Sequence, residues 1–268
     1  MTMHKSISYL MFLLLAVLAV SCEKVIHVDL NDAEKRLVIE GVVGNQAGTS
    51  KVLVSTTKSF YDGNDFAGIS GAIVSVTDEE GVVTSFTETS TGIYEAPSLI
   101  GKEGKTYTLL VELEGQTFTA VSTMQQQAMI DTIYVQDDNL FGETRKVVQV
   151  QFTDPPGRGN GYRFVQYVNG RKEKEIFIYS DELIDGNTAT ISLRYDDDDD
   201  DATIHSGDTI VVDMFCIEDR IYKYWFSLQQ GASGNNWSTP ANPVTNIIGG
   251  ALGYFSAQTV ERKTMVAP

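Results

Sequence analysis

The 36 carboxylates and the two histidines beyond residue 21 are the groups from which any acid–base or metal chemistry would be assembled. The densest set is Asp196 to Asp201, six consecutive aspartates after Tyr195. Calcium takes about six to eight oxygens from a turning loop, with acids at alternate positions and a glycine at the bend. Consecutive aspartates in extended chain point to opposite sides, so only about three would face one ion. The run reads as a solvated hairpin loop, with weak divalent binding as the alternative. His27 lies in a polar stretch and His205 just after the aspartates. No His-x-x-x-His or Cys-x-x-Cys spacing occurs, so no zinc site of familiar type is expected and no metal is assigned. Ser206-Gly207-Asp208 looks like a turn, and no Gly-x-Ser-x-Gly elbow is present. Gly157-Arg158-Gly159-Asn160-Gly161 follows two prolines, precedes a strand and lacks a Lys-Ser/Thr pair, so it too is a turn. Paired carboxylates of the glycosidase kind stay open, because their separation is invisible in a sequence. Two rings sit in polar loops: Tyr61, in Phe60-Tyr61-Asp62-Gly63-Asn64, and Trp237, in Gly234-Asn235-Asn236-Trp237-Ser238. Each would either stack on a ligand or partner, or fold back over the edge of the core. No catalytic residue and no cofactor are assigned, and the reading is of a non-enzyme.

Cys22 carries the sharpest chemical expectation. His4 and Lys5 precede an apolar stretch from Leu10 to Leu18, and small residues follow at Ala19 and Ser21. A basic start, an apolar core and small residues before a cut describe a secretory signal. The core is short of the roughly 20 apolar residues that a spanning helix needs. Leu18-Ala19-Val20-Ser21-Cys22 resembles the bacterial lipobox, in which a peptidase that recognises Leu18, Ala19 and Ser21 would cut before a lipidated thiol. Residues 1–21 are then a lipoprotein signal peptide and 22–36 a lipidated tether. The rival readings are an ordinary thiol after an ordinary signal, and an uncleaved anchor.

Removing 21 of the 268 residues leaves 247, with 19 basic and 36 acidic side chains and a formal charge near −17. Such a chain is repelled by phosphate backbones, so nucleic acid is excluded as a partner. It is equally unsuited to adhere by charge to anionic lipid, so the N-terminal lipid would have to supply the membrane contact. With Cys22 acylated only Cys216 remains, in the apolar run Thr209 to Ile217, so no internal disulfide is possible and a buried, inert thiol is expected.

The elements that must position these residues read as strands. Leu37–Val43, Lys51–Thr57, Ala72–Asp78, Val82–Glu88, Thr106–Leu113 and Gln116–Ser122 carry β-branched and aromatic residues at period two, with turns at Glu79-Glu80-Gly81 and Glu114-Gly115. Met124-Gln125-Gln126-Gln127-Ala128 interrupts the pattern and marks a boundary. Strands resume from Ile130, with a turn at Asn169-Gly170 and a last strand over Leu252–Val260. Asp219 can cap a helix over about 219–230, with Ile221, Tyr224, Trp225 and Leu228 on one face. The expected fold is mainly β: two antiparallel β-sandwich-like domains, 37–123 and 129–268, with one short helix near the C-terminus.

Three groups of residues carry a family resemblance. They are Arg36-Leu37-Val38-Ile39-Glu40-Gly41-Val42-Val43; Gly71–Asp78 with Thr91–Tyr94 and Gly104–Leu109; and Tyr222-Lys223-Tyr224-Trp225 with Pro240–Ile247 and Gly250–Ala257. Together they resemble the uncharacterised outer-membrane lipoproteins of Bacteroidota, a domain-of-unknown-function family encoded beside TonB-dependent receptors. The resemblance covers nearly all of the mature chain. It implies an outer-membrane, surface-facing lipoprotein whose first half is immunoglobulin-like or carboxypeptidase-regulatory-like. It also implies a TonB-dependent transporter as partner, with accessory or ligand-capture work and a cargo left open. The alternatives are a surface glycan or peptide hydrolase and a structural envelope lipoprotein.

Overall fold

The structure, a computed structural model, describes residues 34–58, 66–140, 143–194, 203–232 and 242–268. Residues Lys35–Pro268 form one compact unit. The first half supplies β1 (Leu37–Gly44), β2 (Lys51–Thr56), β3 (Ile73–Asp78), β4 (Val83–Ser85), β5 (Thr87–Ser90), β6 (Ile93–Glu95), β7 (Thr106–Leu113) and β8 (Gln116–Thr123). The second supplies β9 (Ile130–Leu140), β10 (Glu143–Thr153), β11 (Asn160–Val168), β12 (Arg171–Lys172), β13 (Phe177–Ser180), β14 (Thr188–Leu193), β15 (Thr209–Glu218) and β16 (Leu252–Val266). One α-helix, α1 (Asp219–Ala232), follows β15 directly. The fold is mainly β with a C-terminal helix, as the sequence implies.

Three sheets result. The largest runs β12-β11-β15-β16-β1-β2-β6-β5, with β13 also on β11; the smaller ones run β4-β3-β7-β8 and β14-β10-β9. Period-two alternation decides which residues each sheet buries. Ile39, Val43, Val52, Val54, Tyr94, Phe255 and Ala257 meet Val74, Val76, Leu109, Val111, Phe118 and Ala120 of the four-stranded sheet in one core. Tyr162, Phe164, Val212, Met214 and Cys216 meet Val148, Val150, Phe152, Ile191 and Leu193 of the three-stranded sheet in another. Both cores use the same face of the large sheet, because odd-numbered residues of β16 point into each. Two sandwiches therefore share one layer.

The boundary expected between 123 and 129 falls between the two cores, but it does not separate two independent chains of elements. Ile247, Ala251, Phe255 and Ala257, from the expected C-terminal domain, are buried in the first core. The reason is that β16 is 15 residues long and pairs in both halves: antiparallel to β15, and parallel to β1 from Val38↔Leu252 to Gly44↔Gln258. That parallel join is close. Gly253 has φ 98°, and a Cβ there would lie 2.0 Å from the Ile39 carbonyl oxygen; a Cβ on Gly41 would lie 2.9 Å from the Phe255 ring. Asn246 fixes the approach, its Nδ2 donating to the Phe255 carbonyl and its Oδ1 accepting from the Phe255 amide.

Helix α1 packs on the opposite face of the large sheet. Ile221, Tyr224 and Trp225 are buried there with Ile217 and Tyr254, and Val42, Phe215 and Leu228 pack against them. Among the described residues no helix is long and apolar enough to cross a membrane.

Candidate functional site

The residues singled out in the sequence divide by position. Cys22, Leu18, Ala19, Ser21, Tyr61, Trp237 and the aspartates 196–201 lie outside the described residues. His205 is described and exposed; its backbone amide donates to Asp208 Oδ2 at 2.7 Å, closing the expected turn. That bond, with one from Asn169, holds the Asp208 carboxyl below the usual carboxylate range. Cys216 is buried in the second core, where burial pushes its thiol up; it is the inert cysteine expected. Among the described residues no group of three or more His, Cys, Asp or Glu side chains could hold a metal ion.

Two polar clusters are buried, and they differ in kind. The first lies at the mouth of the second core. Asp154, 1 % exposed, accepts from the Tyr162 hydroxyl, from Asn160 Nδ2 at 3.0 Å and from the Gly186 amide at 2.9 Å. Asp181, 4 % exposed, accepts from the Gly159 amide at 2.8 Å and caps the turn after the two prolines. Burial and the neighbouring Asp154 carboxylate both push the Tyr162 hydroxyl up, so it stays a donor. Both oxygens of the Asp154 carboxylate are engaged, which is how a buried structural charge is kept. The glycine-rich stretch 157–161 is thus a turn held by acids.

The second cluster lies on the outer face of the large sheet, beside α1. Outward-facing residues follow from the register: Glu40 stands opposite Tyr254 and Leu53, Val42 opposite Lys51, Arg163 opposite Phe215, and Lys172 opposite Tyr167. The guanidinium of Arg163 lies 3.9 Å from the centroid of the Trp225 ring and 5.6 Å from that of Phe215. Behind it Tyr224, Trp225 and Tyr254 pack with ring centroids 4.8 to 5.5 Å apart. The aromatic wall excludes water, so charges set against it interact more strongly than in bulk solvent. Burial raises the Glu40 carboxyl, opposed by Arg163, Lys172 and Lys51; burial lowers Arg163. Lys172 is lowered by burial first, then by Arg163 and Lys51 as like charges. Burial and Glu40 together push the Tyr224 hydroxyl up to about 12.

These residues come from β1, β2, β11, β12, β16 and α1, elements far apart in the chain that the large sheet gathers on one face. The remaining ion pair on this face, Arg262 to Asp213 by two bonds, is closed, with Asp213 3 % exposed. Chemically, the open cluster holds three cations and one carboxylate against aromatic rings. It lacks a nucleophile with an adjacent base, so it suits recognition of charge more than bond breaking.

None of Glu40, Arg163, Lys172 and Lys51 stands out as a site in the sequence. Arg163 interrupts the apolar run Tyr162–Val168, and Glu40 interrupts Leu37–Val43. A charge at a mid-strand position flanked by core residues is the available signal, but it cannot say that strands so distant in sequence will bring the two together.

A model of the family described as "Domain of unknown function (DUF4249)" matches residues 23–264. No curated protein matches the chain. Among solved structures, a DUF4785 family protein from Legionella pneumophila subsp. pneumophila str. Philadelphia 1 is similar at 11% identity and a TM-score of 0.26, over 68% of this chain and 52% of that one. The chain thus spans about half the length of that protein.

Proposed function

This chain belongs to the DUF4249 family, and we propose that it is a non-catalytic lipoprotein, anchored through Cys22 at the outer membrane, that captures ligand for a TonB-dependent nutrient transporter. The observation that carries the reading is the junction at Cys22. The family match begins at residue 23, one residue past the cysteine, so the basic and apolar leader stands outside the segment that the family has in common. A leader of that composition ending in Leu18-Ala19-Val20-Ser21-Cys22 is what lipid attachment requires. Several acyl chains on one cysteine would hold the protein stably, since one chain is marginal. Anchoring beside a transporter raises effective concentration without demanding a tight interface. The two-sandwich fold supports a binding role through its outer face, where charged side chains gather against aromatic rings without an activated nucleophile.

Mass spectrometry of the protein from envelope fractions tests the anchor. The expected N-terminal peptide starts at Cys22 with a thioether-linked diacylglycerol, and processing stops in globomycin. An unmodified thiol or a retained leader would overturn the reading. Affinity purification from detergent-solubilised outer membrane is expected to recover a TonB-dependent transporter, and reproducible failure to do so would remove the transporter from it.

A further inference from the structure

We propose that the end of the first sandwich where the chain from Cys22 enters the fold rests on the lipid surface, with Phe66, Ile73 and Ile248 as its apolar contacts. The inference rests on the lipid anchor at Cys22 and adds to it a fixed orientation of the fold on the membrane.

Its basis is where the chain enters and what surrounds the entry. Arg36 is pinned just before β1: its amide donates to Thr57 Oγ1 at 2.9 Å, its carbonyl accepts from the Thr57 amide at 2.9 Å, and its Nη2 donates to the Gly250 carbonyl at 3.2 Å. Twelve steps of chain join Cys22 to Glu34, and at about 3.6 Å each they reach at most about 43 Å. A lipid on Cys22 holds this end of the first sandwich within that distance of the bilayer, where a weak contact suffices. Around the entry three large apolar side chains face solvent: Ile248 at 72 % exposure, Ile73 at 65 % and Phe66 at 47 %. Each stands on backbone that the fold holds. Ile248 exchanges two hydrogen bonds with Thr119, at 2.7 and 3.0 Å, two residues before the Gly250 that Arg36 contacts. Phe66 precedes Ala67, whose carbonyl accepts from the amide of Thr56, the partner of Leu37. Ile73 opens β3 opposite Glu112, and the Tyr94 hydroxyl accepts from the amide of Ala72 before it. Side chains presented this way need little further ordering when lipid covers them. The opposite end of the same sandwich also exposes apolar residues, Val82 and Ile100, but there they line a hollow with Asp78, Glu79 and Glu80, and the chain to Cys22 does not leave from it. With 36 acids against 20 bases the chain gains nothing from charge at an anionic bilayer, so apolar side chains must make the contact. Arg36 and Glu112 keep their charges at headgroup level, which makes the contact interfacial. From this end the 15 residues of β16 run about 46 Å to Val266, so the second sandwich is carried away from the membrane.

Site-directed spin labelling of the acylated protein in phosphatidylcholine vesicles tests this. Nitroxides are placed one at a time through Ile73→Cys, Ile248→Cys and, as control, Val266→Cys, a side chain 62 % exposed at the far end of β16. All three side chains face solvent, so the changes keep the fold, and Cys216 is buried from the reagent. Oxygen concentrates in lipid and a nickel chelate stays in water. The ratio of oxygen to nickel collisions at positions 73 and 248 is expected to exceed that at 266 about threefold or more, for side chains set about 5–10 Å into the interface. Phe66→Ser removes one of the three contacts and is expected to lower the ratio at both positions while leaving that at 266 unchanged. Equal ratios at all three positions, or ratios unmoved by Phe66→Ser, would overturn the proposal. Shielding of 73 and 248 from both collision agents would overturn it too, since a second copy of the chain would then cover them. Mass spectrometry of the same samples keeps the two readings apart. Water-exposed labels on a chain acylated at Cys22 defeat the orientation alone, while an unacylated Cys22 defeats the anchor and the orientation with it.

Discussion

The two buried polar clusters hold similar chemistry to opposite ends. At Asp154 each carboxylate is surrounded by donors that the local chain supplies: Tyr162 and Asn160 from the start of β11, and the Gly186 amide from the turn before β14. At Arg163 the charges come from strands far apart in sequence and leave one another's hydrogen-bonding groups unfilled. A satisfied cluster adds rigidity and specifies one packing; an open one keeps free energy available for something that binds. The difference teaches which of them a ligand would need, and it can be attacked from either side.

Removing the Asp154 carboxylate should have the largest effect. Asp154→Ala strands the Tyr162 hydroxyl, Asn160 Nδ2 and the Gly186 amide in a site that is 1 % exposed. Breaking one partner out of a buried charged network costs about 3–5 kcal/mol. Urea denaturation should show an unfolding free energy lowered by that amount, as a lower midpoint with the slope unchanged. A loss under about 1 kcal/mol would mean that water replaces the carboxylate and that the two clusters are alike.

Tyr162→Phe should cost less, about 1–2 kcal/mol, because Asp154 keeps two donors and the ring stays packed. The Tyr162 ring centroid is 4.6 Å from that of Phe152, a contact that phenylalanine preserves. The same denaturation experiment reads it. If Asp154→Ala costs no more than Tyr162→Phe, the knot is no network.

Arg163→Met keeps volume near Trp225 and gives up charge. The cation–π contact is worth about 0.5–2 kcal/mol, while the relief of desolvated like charge acts the other way. The expected net change is under about 1 kcal/mol in either direction, far from the loss at Asp154. A loss as large as that of Asp154→Ala would make Arg163 a structural charge and end the contrast.

The contrast also explains what the sequence could show. Hairpins were legible because their turns are local: Glu114-Gly115 and Asn169-Gly170 both adopt positive φ, the geometry that tight β-turns demand. The helix was legible from its apolar face, and runs Asp219–Ala232 against an expected 219–230; Asp219, expected as its cap, is instead its first residue and accepts from Lys223 Nζ. The parallel pairing of β1 with β16 was not, since it joins Val38 to Leu252 and no local pattern encodes a partner that far away. The Asp154 knot uses residues close along the chain, so its turn could be read even though its bonds could not. The open cluster depends wholly on the long-range pairing: Glu40 reaches Tyr254 only because β16 lies beside β1. Four of its members, Glu40, Tyr224, Trp225 and Tyr254, fall within the stretches that carry the family resemblance. Part of that resemblance also has a structural origin in Gly41 and Gly253, where the two strands meet too closely for a side chain.

The smallest expected effect distinguishes the clusters by sign. Burial raises the Glu40 carboxyl above its ordinary value, so the folded protein holds that proton to higher pH than the unfolded chain does. Stability then falls as pH rises from the unfolded pKa through the folded one, and above both a constant penalty remains. Glu40→Gln removes a group that is costly to ionise. The variant should therefore be more stable than the parent at pH 7, with the gain shrinking as the pH is brought below the ordinary carboxylate range. Urea midpoints for both proteins at pH 7 and near pH 4 measure it. Asp154 offers the opposite case: its carboxylate accepts from three donors, so its loss destabilises. If Glu40→Gln were also destabilising at pH 7, Glu40 would be acting as the partner of Arg163 and Lys172, not as their uneasy neighbour, and the outer face would be a second closed network.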